Sequence, residues 1–116
     1  LPSDEIDAIN HRTQHGGAEI VNLLKTGSAF YAPSAAAVAM AKSILRNERR
    51  LLPCAAYLDG QYGLEDIYMG VPCVLGANGV ERIVDLELDD SGREKLNASA
   101  VAIRADIETL KEKGLL

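Results

Sequence analysis

Two apolar runs of strand length, Leu51–Leu58 and Ile67–Leu75, are separated by eight residues that open on the turn-like Asp59-Gly60-Gln61-Tyr62-Gly63, and a second turn signal, Asn78-Gly79, follows almost at once. Gaps this short return the chain antiparallel, because a parallel crossover needs about a dozen residues or more. Asn78 and Gly79 both tolerate positive φ, the requirement of a tight hairpin, and Val80, Ile83, Val84, Leu86 and Leu88 continue as a third strand. The expected product is a three-stranded antiparallel meander. Pro53 and Pro72 cannot donate to a ladder, so each is expected at an edge or a bulge.

Helical patterns flank the strands. Ser3 can cap a helix whose first turn carries Asp4 and Glu5. Its apolar stripe begins at Ile6 and Ile9, is interrupted at Gly16-Gly17, and resumes through Ile20, Val21, Leu23 and Leu24 before Thr26-Gly27, which predicts one long helix with a break or kink. Ser28–Ala32 reads as a connector, and Pro33 suits the first turn of a second helix running to about Arg46. That helix presents Ala35, Ala36, Val38, Ala39, Ala41 and Leu45, a mostly alanine face suited to close packing against a helix or a second subunit. After Asp89-Asp90-Ser91-Gly92, the residues Leu96, Ala100, Ile103, Ile107 and Leu110 share one face of a third helix, which Gly114 ends. The fold class is therefore α+β, with long helices packed on the meander in a single domain of residues 1–116.

Composition narrows the partners. One Phe, four Tyr and no Trp leave the core to Ala, Val, Ile and Leu. A formal charge of -5, with no basic run longer than Arg46–Arg50, argues against nucleic acid. No apolar run approaches the ~20 residues that cross a bilayer, and the first residues do not resemble a signal peptide, so a soluble, cytoplasmic protein is expected. Cys54 and Cys73 form no CxxC motif and read as small buried hydrophobes kept reduced.

The run Arg12-Thr13-Gln14-His15-Gly16-Gly17-Ala18-Glu19-Ile20-Val21, continuing through Leu23-Leu24-Lys25-Thr26-Gly27-Ser28-Ala29-Phe30-Tyr31-Ala32-Pro33, resembles the lactate/malate dehydrogenase family, in particular its lactate-dehydrogenase-like malate enzymes. The likeness continues in Leu52–Gly63, in Gly70-Val71-Pro72 and in Gly76–Glu81, and so covers nearly the whole chain in order. It implies the C-terminal, substrate-side part of a two-domain enzyme whose N-terminal Rossmann half holds NAD. No Gly-x-Gly-x-x-Gly run occurs here. The family's proton-accepting His, its aspartate partner and its substrate-binding arginines are expected in the missing N-terminal half, which leaves no catalytic residue to assign. The resemblance makes Ser28 and Ala29 substrate-binding, their small size leaving room for a dicarboxylic acid, and Pro33 an apolar surface beside the nicotinamide. Animal lactate dehydrogenases often carry Thr and Ile where Ala29 and Pro33 stand, a departure that favours malate.

Other constellations compete with plainer readings. His11 and His15 would share a helical face as paired metal ligands do, but lack an HExxH pattern and a third ligand, and read as a solvated pair rather than a metal site. Gly76-Ala77-Asn78-Gly79 has no Lys and opens no helix, which favours a hairpin over a phosphate loop. Asp89-Asp90 and Glu65-Asp66 lie in polar turns as ordinary carboxylates. The expected function is oxidation of (S)-malate to oxaloacetate with NAD, in a homodimer or homotetramer, with this chain supplying a pocket wall and subunit contacts. Lactate dehydrogenase of the same family and a non-catalytic assembly module are the alternatives.

Overall fold

The sheet of the computed structural model, which describes residues 1–116, is the expected meander. Strands β1 (Arg50–Asp59), β2 (Glu65–Gly76) and β3 (Gly79–Ile83) pair antiparallel in the order β1-β2-β3. Alternation along β1 and β2 sends Cys54, Ala56, Leu58, Ile67, Met69, Val71, Cys73 and Leu75 to one buried face. These aliphatic and sulfur side chains, with Ala100, are the core, and no aromatic ring joins them.

Pro72, expected at an edge or a bulge, instead occupies the central strand opposite Pro53 and away from either register shift. Its carbonyl accepts from the Val84 amide at 2.8 Å on the β3 side. Pro53 and Pro72 thus form a non-hydrogen-bonded pair across β1 and β2, and Pro53 turns its nitrogen to the free edge. The N–H that Pro72 lacks is the one that would have met the Val84 carbonyl. That carbonyl instead accepts from the Tyr62 hydroxyl at 2.6 Å, and the Leu86 amide donates to the same hydroxyl at 3.2 Å. Strand β3 consequently stops at Ile83, and Val84–Leu88, expected as strand, run irregularly past Tyr62.

The second hairpin also differs in detail. Gly76 pairs with Gly79, so Ala77 and Asn78 are the turn residues and Gly79 alone has positive φ, at 85°. The register shift between Val74 and Leu75 leaves Glu81 unpaired on β3. Glu81 there meets the Arg49 guanidinium at 3.0 Å, and a Cβ on Gly76 would strike its carboxylate. The other hairpin turns through a 3-10 segment, Gln61–Gly63, where Gly60, Tyr62 and Gly63 all have positive φ.

Two compact units divide the chain, Leu1–Ala41 and Lys42–Leu116. In the second, helix α3 (Asp90–Glu112) packs on β2. Asp89 caps it by accepting from the Gly92 amide at 2.7 Å. Gly114, at φ 65°, ends it, with the Leu115 amide donating to the Leu110 carbonyl at 2.9 Å.

The first unit holds helix α1 (Ser3–Leu24) and most of α2 (Tyr31–Leu45). Helix α1 runs without interruption through Gly16 and Gly17, so the expected break is absent, and Ser3 lies inside the helix rather than capping it. The glycine pair costs helix propensity, but the i to i−4 hydrogen bonds need no Cβ and the helix continues. Helix α2 begins at Tyr31, which places Tyr31 and Ala32 in the helix instead of the connector. Its enclosed positions are Ala39, Met40, Ser43 and Ile44, whereas Ala35, Ala36, Val38 and Leu45 of the expected alanine face are exposed.

Candidate functional site

The link between α1 and α2 is six residues, Lys25–Phe30, and its shape is set at both ends. Lys25 and Gly27 have φ of 62° and 91°. The Lys25 amide donates to the Val21 carbonyl at 3.0 Å, which closes α1, and the Phe30 amide donates to the Ser28 carbonyl at 2.9 Å, which tightens the turn into α2. Ser34 donates to the Phe30 carbonyl through its amide at 2.9 Å and its hydroxyl at 2.7 Å, anchoring the first turn. Pro33 stands one residue earlier, where a missing N–H leaves no intrahelical bond unmade.

Ser28 and Ala29 thus lie in the link and Pro33 in the first turn of α2, within six consecutive residues. Ser28 and Pro33 are exposed and Ala29 is half-buried. None of the three is ionisable, so the group can shape a cavity wall but cannot transfer a proton. Phe30 and Tyr31 stack beside them, ring centroids 4.6 Å apart, and are 53% and 71% exposed. Both rings therefore turn most of their surface to solvent.

Helix α1 presents a second feature. Arg12 grips Glu19 bidentately, Nε and Nη2 donating at 3.2 and 3.0 Å, and the pair spans two turns of the helix over Gly16. Each holds the other charged: the hydrogen bond and the opposite charge raise Arg12 and lower Glu19 from their ordinary values. Ile9, Thr13 and Ile20 complete an open groove with them. The sequence signal for this pair is only an Arg and a Glu seven residues apart. His11 and His15 stand on the same helix with ring centroids 4.6 Å apart, and no group of three or more His, Cys, Asp and Glu is arranged to hold a metal ion.

Elsewhere, Asp89 is bound up in capping α3, and Asp66, at φ 51°, accepts from the Tyr57 hydroxyl at 3.1 Å. That hydrogen bond, with the carboxylate's charge, pushes the Tyr57 phenol above its ordinary range. Both acids have structural uses.

The model of the lactate/malate dehydrogenase alpha/beta C-terminal domain matches residues 1–114. The chain belongs to the lactate/malate dehydrogenase family. As a member it is 58% identical over 112 residues to a malate dehydrogenase of Roseiflexus castenholzii, a match covering 97% of this chain and 36% of that protein. Among solved structures, the malate dehydrogenase of Cryptosporidium parvum superposes with a TM-score of 0.91 at 43% identity, over 97% of this chain and 36% of the other. The lactate dehydrogenase of the same organism, complexed with lactic acid and nicotinamide adenine dinucleotide, gives a TM-score of 0.91 at 37% identity, over 96% and 35%. The chain thus spans about a third of the length of the relatives it matches. No helix is long and apolar enough to cross a membrane.

Proposed function

We propose that these residues are the substrate-side part of an NAD-dependent malate dehydrogenase that oxidises (S)-malate to oxaloacetate. The observation that carries the reading is the turn Ser28–Pro33, held by backbone hydrogen bonds and offering the small or unionisable Ser28, Ala29 and Pro33, in a chain that runs alongside malate dehydrogenases for nearly its whole length. Ser28 and Ala29 bound the space for the dicarboxylic acid. Pro33 gives the nicotinamide an apolar face, and its exposed place in the first turn of α2 fits that use.

The dinucleotide, when bound, accepts the hydride; this chain orients and excludes water. The Gly76–Gly79 turn joins two strands and opens no helix, so it offers no cradle for a pyrophosphate. Nucleotide and proton acceptor therefore belong to the N-terminal Rossmann half. Helix α1 supports contacts with that half or with another subunit of a homodimer or homotetramer: none of its residues is buried, and Ile6, Ile9, Ile20 and Leu24 are 44%, 54%, 38% and 41% exposed.

Joining residues 1–116 to the N-terminal two-thirds of the Roseiflexus castenholzii relative tests the reading. The hybrid should reduce NAD with malate and favour oxaloacetate over pyruvate in the reverse direction. The 116-residue chain alone should show no turnover. A folded hybrid that prefers pyruvate would replace malate by lactate, and one that binds NAD without turning over either acid would leave an assembly module.

A further inference from the structure

We propose that Cys54 and Cys73 are a peroxide-sensitive pair, reduced at rest and joined on oxidation by a disulfide that staples β1 to β2. The two are the only cysteines of the chain, and both lie on the buried face of adjacent strands, 7% and 0% exposed. Cys54 stands opposite Val71 and Cys73 opposite Leu52, so they are diagonal neighbours across the Pro53–Pro72 pair. Diagonal Cα atoms on one sheet face lie about 7–8 Å apart, and a disulfide needs about 4.4–6.8 Å. The remaining adjustment is on the order of 1 Å, and it falls on β1, the edge strand with one neighbour only.

Nothing holds the sulfurs elsewhere. Each thiol makes one weak bond to the carbonyl two residues back on its own strand, Cys54 to Leu52 at 3.5 Å and Cys73 to Val71 at 3.4 Å. The groups also feel one another: burial first, and then the neighbouring Cys54, push the Cys73 thiol up. Cys73 is thereby kept protonated on the central strand. Cys54, nearer the free edge, is the sulfur that a small oxidant reaches when β1 opens locally.

The chemistry balances with hydrogen peroxide as oxidant. The Cys54 thiolate attacks one peroxide oxygen, the O–O bond breaks, and the departing hydroxide takes up a proton as water, leaving a sulfenic acid. The Cys73 sulfur then attacks the Cys54 sulfur, the S–O bond breaks, and the hydroxyl leaves with the Cys73 proton as a second water. Two thiols and one peroxide give one disulfide and two waters. Burial discriminates against bulkier oxidants such as glutathione disulfide.

The purified chain would be treated with hydrogen peroxide in native buffer, quenched, alkylated after denaturation and mapped by mass spectrometry. A cross-linked peptide containing Cys54 and Cys73, lighter by two hydrogens and cleaved by dithiothreitol, is expected. The oxidised chain should unfold at a higher urea concentration than the reduced one, with no such rise in Cys54→Ser or Cys73→Ser. Both cysteines recovered fully alkylated, or either recovered as sulfinic acid without a cross-link, would overturn the proposal. So would a cross-link that lowers the urea midpoint, since the bridge would then strain the sheet rather than staple it.

Discussion

Ser43 is the one polar side chain fully enclosed by the core, at 0% exposure, and it satisfies two strands at once. Its hydroxyl donates to the Leu75 carbonyl at 2.7 Å and accepts from the Arg50 amide at 3.2 Å. Ser43→Ala would leave both backbone groups short of a partner in a site too enclosed for water to replace the hydroxyl. The expected loss is about 1–3 kcal/mol, the cost of a buried polar group left unpaired. Urea unfolding of the variant against the parent measures it, and a loss below about 0.5 kcal/mol would mean that the strands repair the gap themselves. Nothing in the sequence singles out Ser43, because a serine near the end of an alanine-rich helix ordinarily faces water. The position of Tyr62 is equally illegible. Its role depends on the donor that Pro72 lacks across the sheet, a relation between residues ten apart whose meaning appears only once register is known.

Elements were more legible than residues where a local rule decides them. The Gly114 stop and the antiparallel return of the strands through short gaps follow from chemistry within a few residues, and each stands as read. The misreadings arose where a local signal was overruled or was insufficient. Gly16-Gly17 reads as a break but is traversed by a continuous α1, and no atom lies within 4 Å of a Cβ built at either position. Within the isolated chain these glycines therefore carry only their entropic cost. Gly16→Ala and Gly17→Ala should each stabilise α1 by roughly 0.5–1 kcal/mol. Circular dichroism across a thermal ramp would show the double variant retaining helical signal to higher temperature. A fall in helical signal would mean that the glycines serve a conformation of α1 other than the continuous helix. Likewise, β3 reads as nine residues, Val80 to Leu88, and is cut to five by a proline on its neighbour, which no single-strand pattern encodes.

At the scale of the molecule, family membership was visible in the sequence because long runs match in order, whereas the roles of individual residues rest on contacts with chain outside these residues. Ala29 is where that difference can be tested. It is half-buried in a link outside the core, in the turn whose backbone is fixed by the Phe30–Ser28 and Ser34–Phe30 hydrogen bonds. If the link borders the substrate as proposed, then in an enzyme with its N-terminal half Ala29→Leu would intrude on the space beside the reacting carbon without disturbing those bonds, since the backbone supplies them. A misplacement of about 1 Å at such a site costs roughly a hundredfold. We therefore expect kcat/KM for oxaloacetate to fall about a hundredfold while the melting temperature changes little, a surface or link substitution being worth about 0.5 kcal/mol or less. Ala98→Leu, on the exposed side of α3, is the matched control and should leave both quantities near those of the parent. Steady-state kinetics and thermal melts on the three proteins decide the matter. If Ala29→Leu keeps full kcat/KM, the link does not line the pocket and its small residues serve only the turn into α2; if activity and melting temperature fall together, Ala29 is a packing residue whose half-burial already spoke for that role.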